Sequence, residues 1–429
     1  MTSFQAARGI IVYSIGRICG VSISLSRPVL CVILSAVFVG IECAASDVVA
    51  AQSQRSKLSN SVREALIEFH ADGWLTDNDG NLLQISMQDL RDSTIASVVK
   101  RFPKLKSVLL NSEHGLSPEG IKYLEQLPQL EEIGLNLTER TEELTDALSQ
   151  LTNLRILGFS VDNFGADDFV NLSKLRNVEV LRFVWRDADD AMIANLISRF
   201  PQLNELELAG PAVRNQALAE VGRHIRIKKL TLTSCSELTG KDMSHICGLP
   251  KLLVLDLSSG ITKRNYDELL AQVGRATTLR ELHISINHTD VGMKHLASLV
   301  NLEVYDDYST SITDSALDVF SAMPKLRKLA LHSPKISGEG LVHLKNLDQL
   351  EWVSLKHTGL RPEFVGHLAR LKSLAILDVS WSPMDKDNNY ASLCKLKELP
   401  LKLISILSTD EGAQELQKVF PNCKIDNLE

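Results

Sequence analysis

A leucine pattern that returns about every 24 residues constrains this chain more than anything else in it. The spacing L-x-x-L-x-L, with other apolar residues admitted, starts at Leu105, Leu130, Leu154, Val178, Leu203, Ile227, Leu252, Leu279, Leu302, Leu326, Leu350 and Leu374. A degenerate copy starts near Leu401. Steps between starts run from 23 to 27 residues. By length alone 429 residues would allow two or three ordinary domains. A fixed period of this size instead means stacked units sharing one continuous core.

Each unit follows from simple geometry. In LRKLALHSPKISGEGLVHLKNL, Leu326, Leu329 and Leu331 point inward from a short strand, while Lys328, Ala330 and His332 point outward. Ile336 packs beneath the turn, and Ser337 is placed to cap a helix with Glu339 in its first turn. Leu341, Leu344 and Leu347 then form the buried stripe of that helix. No unit can bury both its faces alone, so neighbours must stack.

This pattern resembles the leucine-rich repeat family over roughly residues 82–429, and its bacterial subtype of about 24 residues in particular. Secreted repeat proteins of planctomycete-like bacteria are similar, with units that read like SITDSALDVFSAMPKL (311–326). The resemblance implies an α/β fold: a curved solenoid with a parallel sheet on its concave face and helices on its convex face. The stretch REALIEFHADGWLTDNDGNLLQISM (63–87) resembles the family's N-terminal helix–hairpin cap, and FPNCKI (420–425) its closing segment. The expected organisation is a leader over 1–51, a cap over 52–104, repeats over 105–400, and a degenerate repeat with cap over 401–429.

The leader is read from Arg8, Arg17 and Arg27 ahead of an apolar run from Val29 to Ile41, then small residues at Cys43-Ala44-Ala45 and Val49-Ala50-Ala51. A charged start, a short apolar run and a small-residue exit describe a secretory signal. The run is short of the ~20 apolar residues of a spanning helix, although an uncleaved anchor stays open and would be the chain's only membrane contact. Export to the periplasm, cell envelope or exterior is therefore expected. Beyond the leader lie Cys235, Cys247, Cys394 and Cys423; three pairings are possible and the sequence dictates none, Cys394–Cys423 among them. Lys plus Arg number 46 against 53 Asp plus Glu, a mildly acidic balance that argues against a dedicated nucleic-acid binder. Aromatic residues are only 5% of the chain, too few for a large aromatic-lined ligand cavity.

Several residues invite a chemical reading. His245, His295, His343 and His367 recur at one helical position, but helices of adjacent units sit too far apart for two imidazoles to share an ion at ~2.0–2.1 Å. A packing or half-exposed surface role is expected, with packing for His343. Cys235, Asn287, Thr310, Thr358 and Ser382 occupy the position after the strand where a polar side chain supports the turn backbone. Asp77-x-Asp79-x-Asn81 begins like a calcium loop, but Leu82 and Gln88 stand where Gly and Glu are required, so a hairpin turn is expected. Asp256, His283 and Asp306 form a short row on the outward face, by default a solvated one. Asp307 stands inward where neighbouring units have Leu331 and Ile284, and a buried carboxylate there demands a hydrogen bond to a neighbouring turn or a local distortion. The unit from Leu252 is long, suggesting a bulged loop near residues 259–264.

No catalytic motif is present, so no enzyme, cofactor or metal is expected. The expectation is a monomeric, secreted protein-binding module using its concave face, centred on Tyr308, His332, Trp352 and Lys356. Exposed aromatic residues beside charges resemble a binding hot spot. A cell-envelope structural protein is the alternative; a ubiquitin-ligase adaptor of F-box type is another, for which residues 52–72 offer only one short helix.

Overall fold

The computed structural model describes residues 59–77, 79–88, 91–111, 116–137, 142–161, 165–185, 188–258, 266–386, 390–407 and 410–428. Two compact units are separated by their contacts. One holds the helix Asn60–Glu68 and the turn at residues 76–81; the other holds residues 69–75 and 82–429. The turn closes as the sequence suggests: the Asp77 carboxylate accepts from the amides of Asp79 and Asn81, each at 2.9 Å, and from Asn81 Nδ2 at 2.8 Å. The N-terminal segment and the loop near 259–264 lie outside the described residues.

Sixteen strands form one sheet whose spatial order is the order along the chain. From the strand Leu82–Gln88 to the strand Lys424–Asn427 each neighbour runs parallel, and the same position of each unit faces its equivalent in the next. Leu206, Leu230 and Leu255 stand side by side, for example. All twelve unit starts from Leu105 to Leu374 are buried. The repeat read from the leucines is therefore the physical repeat of the core. Positively and negatively charged residues alternate where strands begin: Arg155–Glu179 at 3.0 Å, Arg280–Glu303 at 3.4 Å and Arg327–Glu351 at 2.9 Å. These pairs are largely exposed, so solvent screens them, and they fix neighbours more than they stabilise.

Several units carry the expected α-helices, such as Asp190–Ser198 and Asn215–Val221, but others differ. Units starting at Leu302, Leu326 and Leu350 wind instead into 3-10 helices over Asp314–Ala322, Glu339–Asn346 and Val365–Arg370. A 3-10 helix rises about 2.0 Å per residue against 1.5 Å for an α-helix, so a short unit spans the same length with fewer residues. Ser337 caps only weakly, its hydroxyl oxygen accepting from Glu339 N at 3.5 Å, while the hydroxyl donates to Asp314 Oδ2 of the preceding unit at 2.7 Å.

That contact belongs to a ladder. A carboxylate at the start of one convex segment receives donors from the start of the next. Asp190 accepts from the amides of Arg214, Gln216 and Ala217, Asp267 from the amide and hydroxyl of Thr289, and Asp290 from those of Thr313. Asp314 accepts from Ser337 N at 2.8 Å, Gly338 N at 2.9 Å and Gly340 N at 2.9 Å, besides the Ser337 hydroxyl. Each carboxylate satisfies amides that begin a helix and have no partner within it.

The polar plug after the strand takes two forms. In the units from Ile227 and Leu350, Cys235 and Thr358 turn inward as expected, preceded by Ser234 and His357 in the left-handed region at φ 57°. Trp381, before Ser382, adopts the same conformation at φ 58°. In the units from Leu302 and Leu326 no left-handed residue precedes the plug, which comes one residue earlier. Ser309 and Ser333 are buried, donating to His288 O at 3.0 Å and Ile312 O at 2.7 Å, while Thr310 is exposed. In the unit from Leu279 the shift is the other way: His288, one residue after Asn287, is fully buried. Left-handed backbone costs an ordinary residue roughly 1–2 kcal/mol. Ser234 is exposed, so Ser234→Gly loses no packing and is expected to match or exceed the wild-type melting temperature, whereas Ser234→Val is expected to lower stability by about 1–2 kcal/mol. Thermal unfolding of the two variants checks that order.

Candidate functional site

The outward face of the sheet is built from three rows of side chains, two residues apart along each strand. The first row contains Glu205, Lys229, Val254, Glu281, Val304, Lys328, Trp352 and Ile376. The second contains Glu207, Thr231, Asp256, His283, Asp306, Ala330, Ser354 and Asp378. The third, just beyond the strands, carries Tyr308, His332 and Lys356.

The residues singled out from the sequence divide between two places. Tyr308 and His332 meet face to face, with ring centroids 4.0 Å apart and planes inclined by 6°. Tyr308 is 40% exposed, so the stack presents a large ring to solvent. Lys356 follows in the same row and is close enough to bear on the His332 charge. Trp352 does not join them. It is half-buried in the first row between Lys328 and Ile376, four residues back along its strand, which is roughly 13 Å. Ala330 and Ser354 are buried between the two places. The expected single cluster is thus corrected to a stacked pair and a separate indole, because adjacency of units says nothing of distance along a strand.

The row of Asp256, His283 and Asp306 forms as expected, though it is not simply a solvated face. Asp256 is buried. His283 Nδ1 lies 3.7 Å from Asp306 Oδ2, and its Nε2 lies 3.8 Å from Glu281 Oε2. Burial alone would lower the His283 pKa, but the carboxylates of Asp306, Glu281 and Asp256 overcome it and carry it up to about 10. His283 is a cation held among acids. On the far side of Asp306, His332 Nε2 lies 3.7 Å from Oδ1. Burial lowers the His332 pKa, Lys356 adds to the lowering, and Asp306, Asp307 and Asp378 oppose it. One carboxylate therefore stands between a charged and a neutral imidazole.

Beneath this face Asp307 satisfies the expectation of a local hydrogen-bond partner in full. Both Asp307 and His288 side chains are 0% exposed, with His288 Nε2 3.1 Å from Asp307 Oδ2. Oδ2 also accepts from the Tyr305 hydroxyl at 2.8 Å, and Oδ1 accepts from Ser309 N at 2.7 Å. Burial would lower the His288 pKa; the adjacent Asp307 reverses this and raises it. The Tyr305 hydroxyl is pushed well above its ordinary range by burial and by the same carboxylate.

Other candidates resolve simply. His295 and His343 are exposed, while His245 and His367 are half-buried; His245 Nε2 is 2.8 Å from Asn215 Oδ1. His343 therefore does not pack into the core. Cys235, Cys247 and Cys423 are free thiols, and burial raises the pKa of Cys235 and Cys247 to about 12, so neither of these two is a ready nucleophile. A shallow recess at the strand-entry edge is lined by Glu303, Lys325, Arg327, Asp348 and Glu351, charges without the apolar wall a small ligand needs. The sequence did not reveal the His357–Trp381 ring pair, 5.4 Å apart, with Trp381 44% exposed. It is created by two left-handed residues that no spacing rule marks.

Among solved structures the chain is similar to an internalin from Listeria monocytogenes, at 17% identity over 88% of this chain and 97% of that one, with a TM-score of 0.49. A leucine-rich repeat protein of Leptospira interrogans is 17% identical over 80% of this chain and 93% of its own, with a TM-score of 0.42. TLR13 in its complex with ssRNA13 is 16% identical over 81% of this chain and 54% of its own, with a TM-score of 0.49. No family model and no curated protein matches. The chain's own ladder decides its class: inward L-x-x-L-x-L positions superposed strand after strand in one parallel sheet. It is a leucine-rich repeat solenoid. In a leucine-rich repeat fold the outward rows carry no packing duty toward the core, so an exposed ring there needs another explanation.

Proposed function

We propose that this solenoid is an exported, non-enzymatic module that binds a protein partner on the outward face of its sheet. The observation that carries the reading is the Tyr308–His332 stack, which holds an aromatic ring 40% exposed beside Asp306 and Lys356. A ring kept in water gives folding little, whereas burying it against a partner recovers ~25 cal/mol per Å² of apolar surface. Trp352 and Lys356 extend the surface, and the His357–Trp381 pair continues it to the next units. Export rests on the basic, apolar and small-residue stretches of residues 1–51, with 52–104 as cap, 105–400 as repeats and 401–429 as closing segment. The chain acts alone, as a monomer.

Affinity capture with the mature chain, followed by identification and titration of the bound protein, supplies the assay. Tyr308→Ala combined with Trp352→Ala is expected to leave the melting temperature nearly unchanged and to weaken partner binding more than about 30-fold, the equivalent of a hot spot of ~2 kcal/mol. Undiminished binding would move the site elsewhere, first to the acidic side chains Glu205 and Glu207.

A further inference from the structure

Neither ring nitrogen of His332 has a hydrogen-bond partner among the described residues, although its side chain is only 8% exposed. The same holds for Asp306 Oδ1, which is 3.7 Å from His332 Nε2, just too far for the two to satisfy each other. Buried polar atoms are seldom left unpaired, because each forfeits its hydration. The Tyr308 ring lies directly over His332.

The chemistry of a group that could pair these atoms follows from what surrounds them. Asp306 is an acceptor, and a neutral imidazole offers one nitrogen as acceptor. Asp306 Oδ2 already faces the cation His283, so Oδ1 is the oxygen left to take a donor. The open face from Glu205 to Asp378 carries the carboxylates of Glu205, Glu207, Asp256, Glu281, Asp306 and Asp378 against three lysines and His283. Its balance favours an incoming cation, and Tyr308 offers a ring for it to lie against.

We propose that the Asp306–His332 acceptor pair beneath Tyr308 receives a basic side chain, a guanidinium or ammonium group, of the protein partner. This rests on the reading of the sheet face as a protein-binding surface and adds what the partner must present there. Binding then depends on a neutral His332. The groups facing it are Asp306, Asp307, Tyr308, Lys356 and Asp378, with His283 on the other side of Asp306. Since burial and Lys356 hold the His332 pKa below its ordinary value, the acceptor is present at neutral pH. Acidification protonates the ring, removes the acceptor and adds a charge that repels the incoming cation.

The test uses the full mature chain and two short peptides, acetyl-Gly-Arg-Gly-amide and its citrulline counterpart, which is nearly isosteric but uncharged. Peptide affinity is followed by shifts of the Tyr308 and His332 ring resonances. The arginine peptide is expected to shift both rings and to bind about tenfold more tightly than the citrulline peptide. Asp306→Asn should lose that advantage, and His332→Phe, which keeps a ring for Tyr308 to stack on, should weaken binding and abolish its decline at acid pH. Equal affinity for the two peptides, or no ring shift at millimolar peptide, overturns the proposal, as does an ordered water that fills the gap and is not displaced. The natural partner separates this proposal from the broader reading. If Tyr308→Ala abolishes its binding while Asp306→Asn does not, the surface stands and the basic anchor fails; if neither variant affects binding, the surface itself is wrong.

Discussion

Asp307→Leu is expected to destabilise the protein by about 3–5 kcal/mol, although it writes the repeat's own consensus residue into the unit that lacks it. Leucine suits the position in isolation, since Leu331 and Ile284 occupy it in the flanking strands. The damage comes from what Asp307 leaves behind. His288 is fully buried and raised in pKa by Asp307, so its removal strands an imidazolium in the core or forces it to give up its proton. Tyr305 loses the acceptor of its hydroxyl, and the Ser309 amide loses its carboxylate oxygen. A buried ion pair is costly to break but cheap to replace as a whole. Changing Asp307, His288 and Tyr305 together to leucine should therefore restore most of the loss. Denaturant midpoints of the single and triple variants decide the matter; equal losses in both would mean that packing shape, not charge, sets the cost. The pair also has a pH signature. A histidine whose folded pKa is raised contributes stability that is fully present below its unfolded value near 6.5 and is lost as pH rises through the folded pKa. Stability lost on raising the pH through that window should be smaller in the triple variant.

The strands were legible because a parallel sheet in register repeats one simple rule: every inward position is apolar. Leu203, Leu206 and Leu208 state that rule, and Ile227, Leu230 and Leu232 restate it in the next unit. Asp307 was legible for the opposite reason, as the one acid among inward leucines. Its partner was not. Counting three residues past the strand points to Asn287 and Thr310, yet His288 and Ser309 are the buried residues. Loop backbone decides which side chain turns inward, and a count of residues does not record whether one of them is left-handed, as Ser234 and His357 are. The outward face was legible in its rows but not in its distances, so unit adjacency alone groups Trp352 with Tyr308. The carboxylate ladder left a trace that could have been read: Thr289-Asp290 and Thr313-Asp314 recur one unit apart.

Asp314→Ala is expected to cost about 2–4 kcal/mol, because one side chain collects four hydrogen bonds and carboxylate bonds of this kind are each worth ~1.5–3 kcal/mol before water partly replaces them. The four donors are the amides of Ser337, Gly338 and Gly340 and the Ser337 hydroxyl, all from the next unit, so the loss falls on the interface between units rather than on either one. Stacked repeats derive their cooperativity from those interfaces. The backbone is built for the contact: a Cβ at Gly340 would run into the Asp314 carbonyl oxygen, so this unit can approach only with glycine there. Asp314→Asn keeps one acceptor oxygen and should lose about half as much; Asp318→Ala, an exposed acid on the same convex segment, should change stability by less than ~0.5 kcal/mol. Burial would raise the Asp314 pKa, but the hydrogen bonds from Gly340, Ser337 and Gly338 outweigh it and hold it below the ordinary range. A depressed acid contributes stability that is present above its unfolded pKa near 3.9 and is lost as pH falls through the folded value. Acid unfolding of the wild type should thus be steeper than that of Asp314→Ala, and parallel acid titrations of the two proteins would refute the ladder as a source of stability.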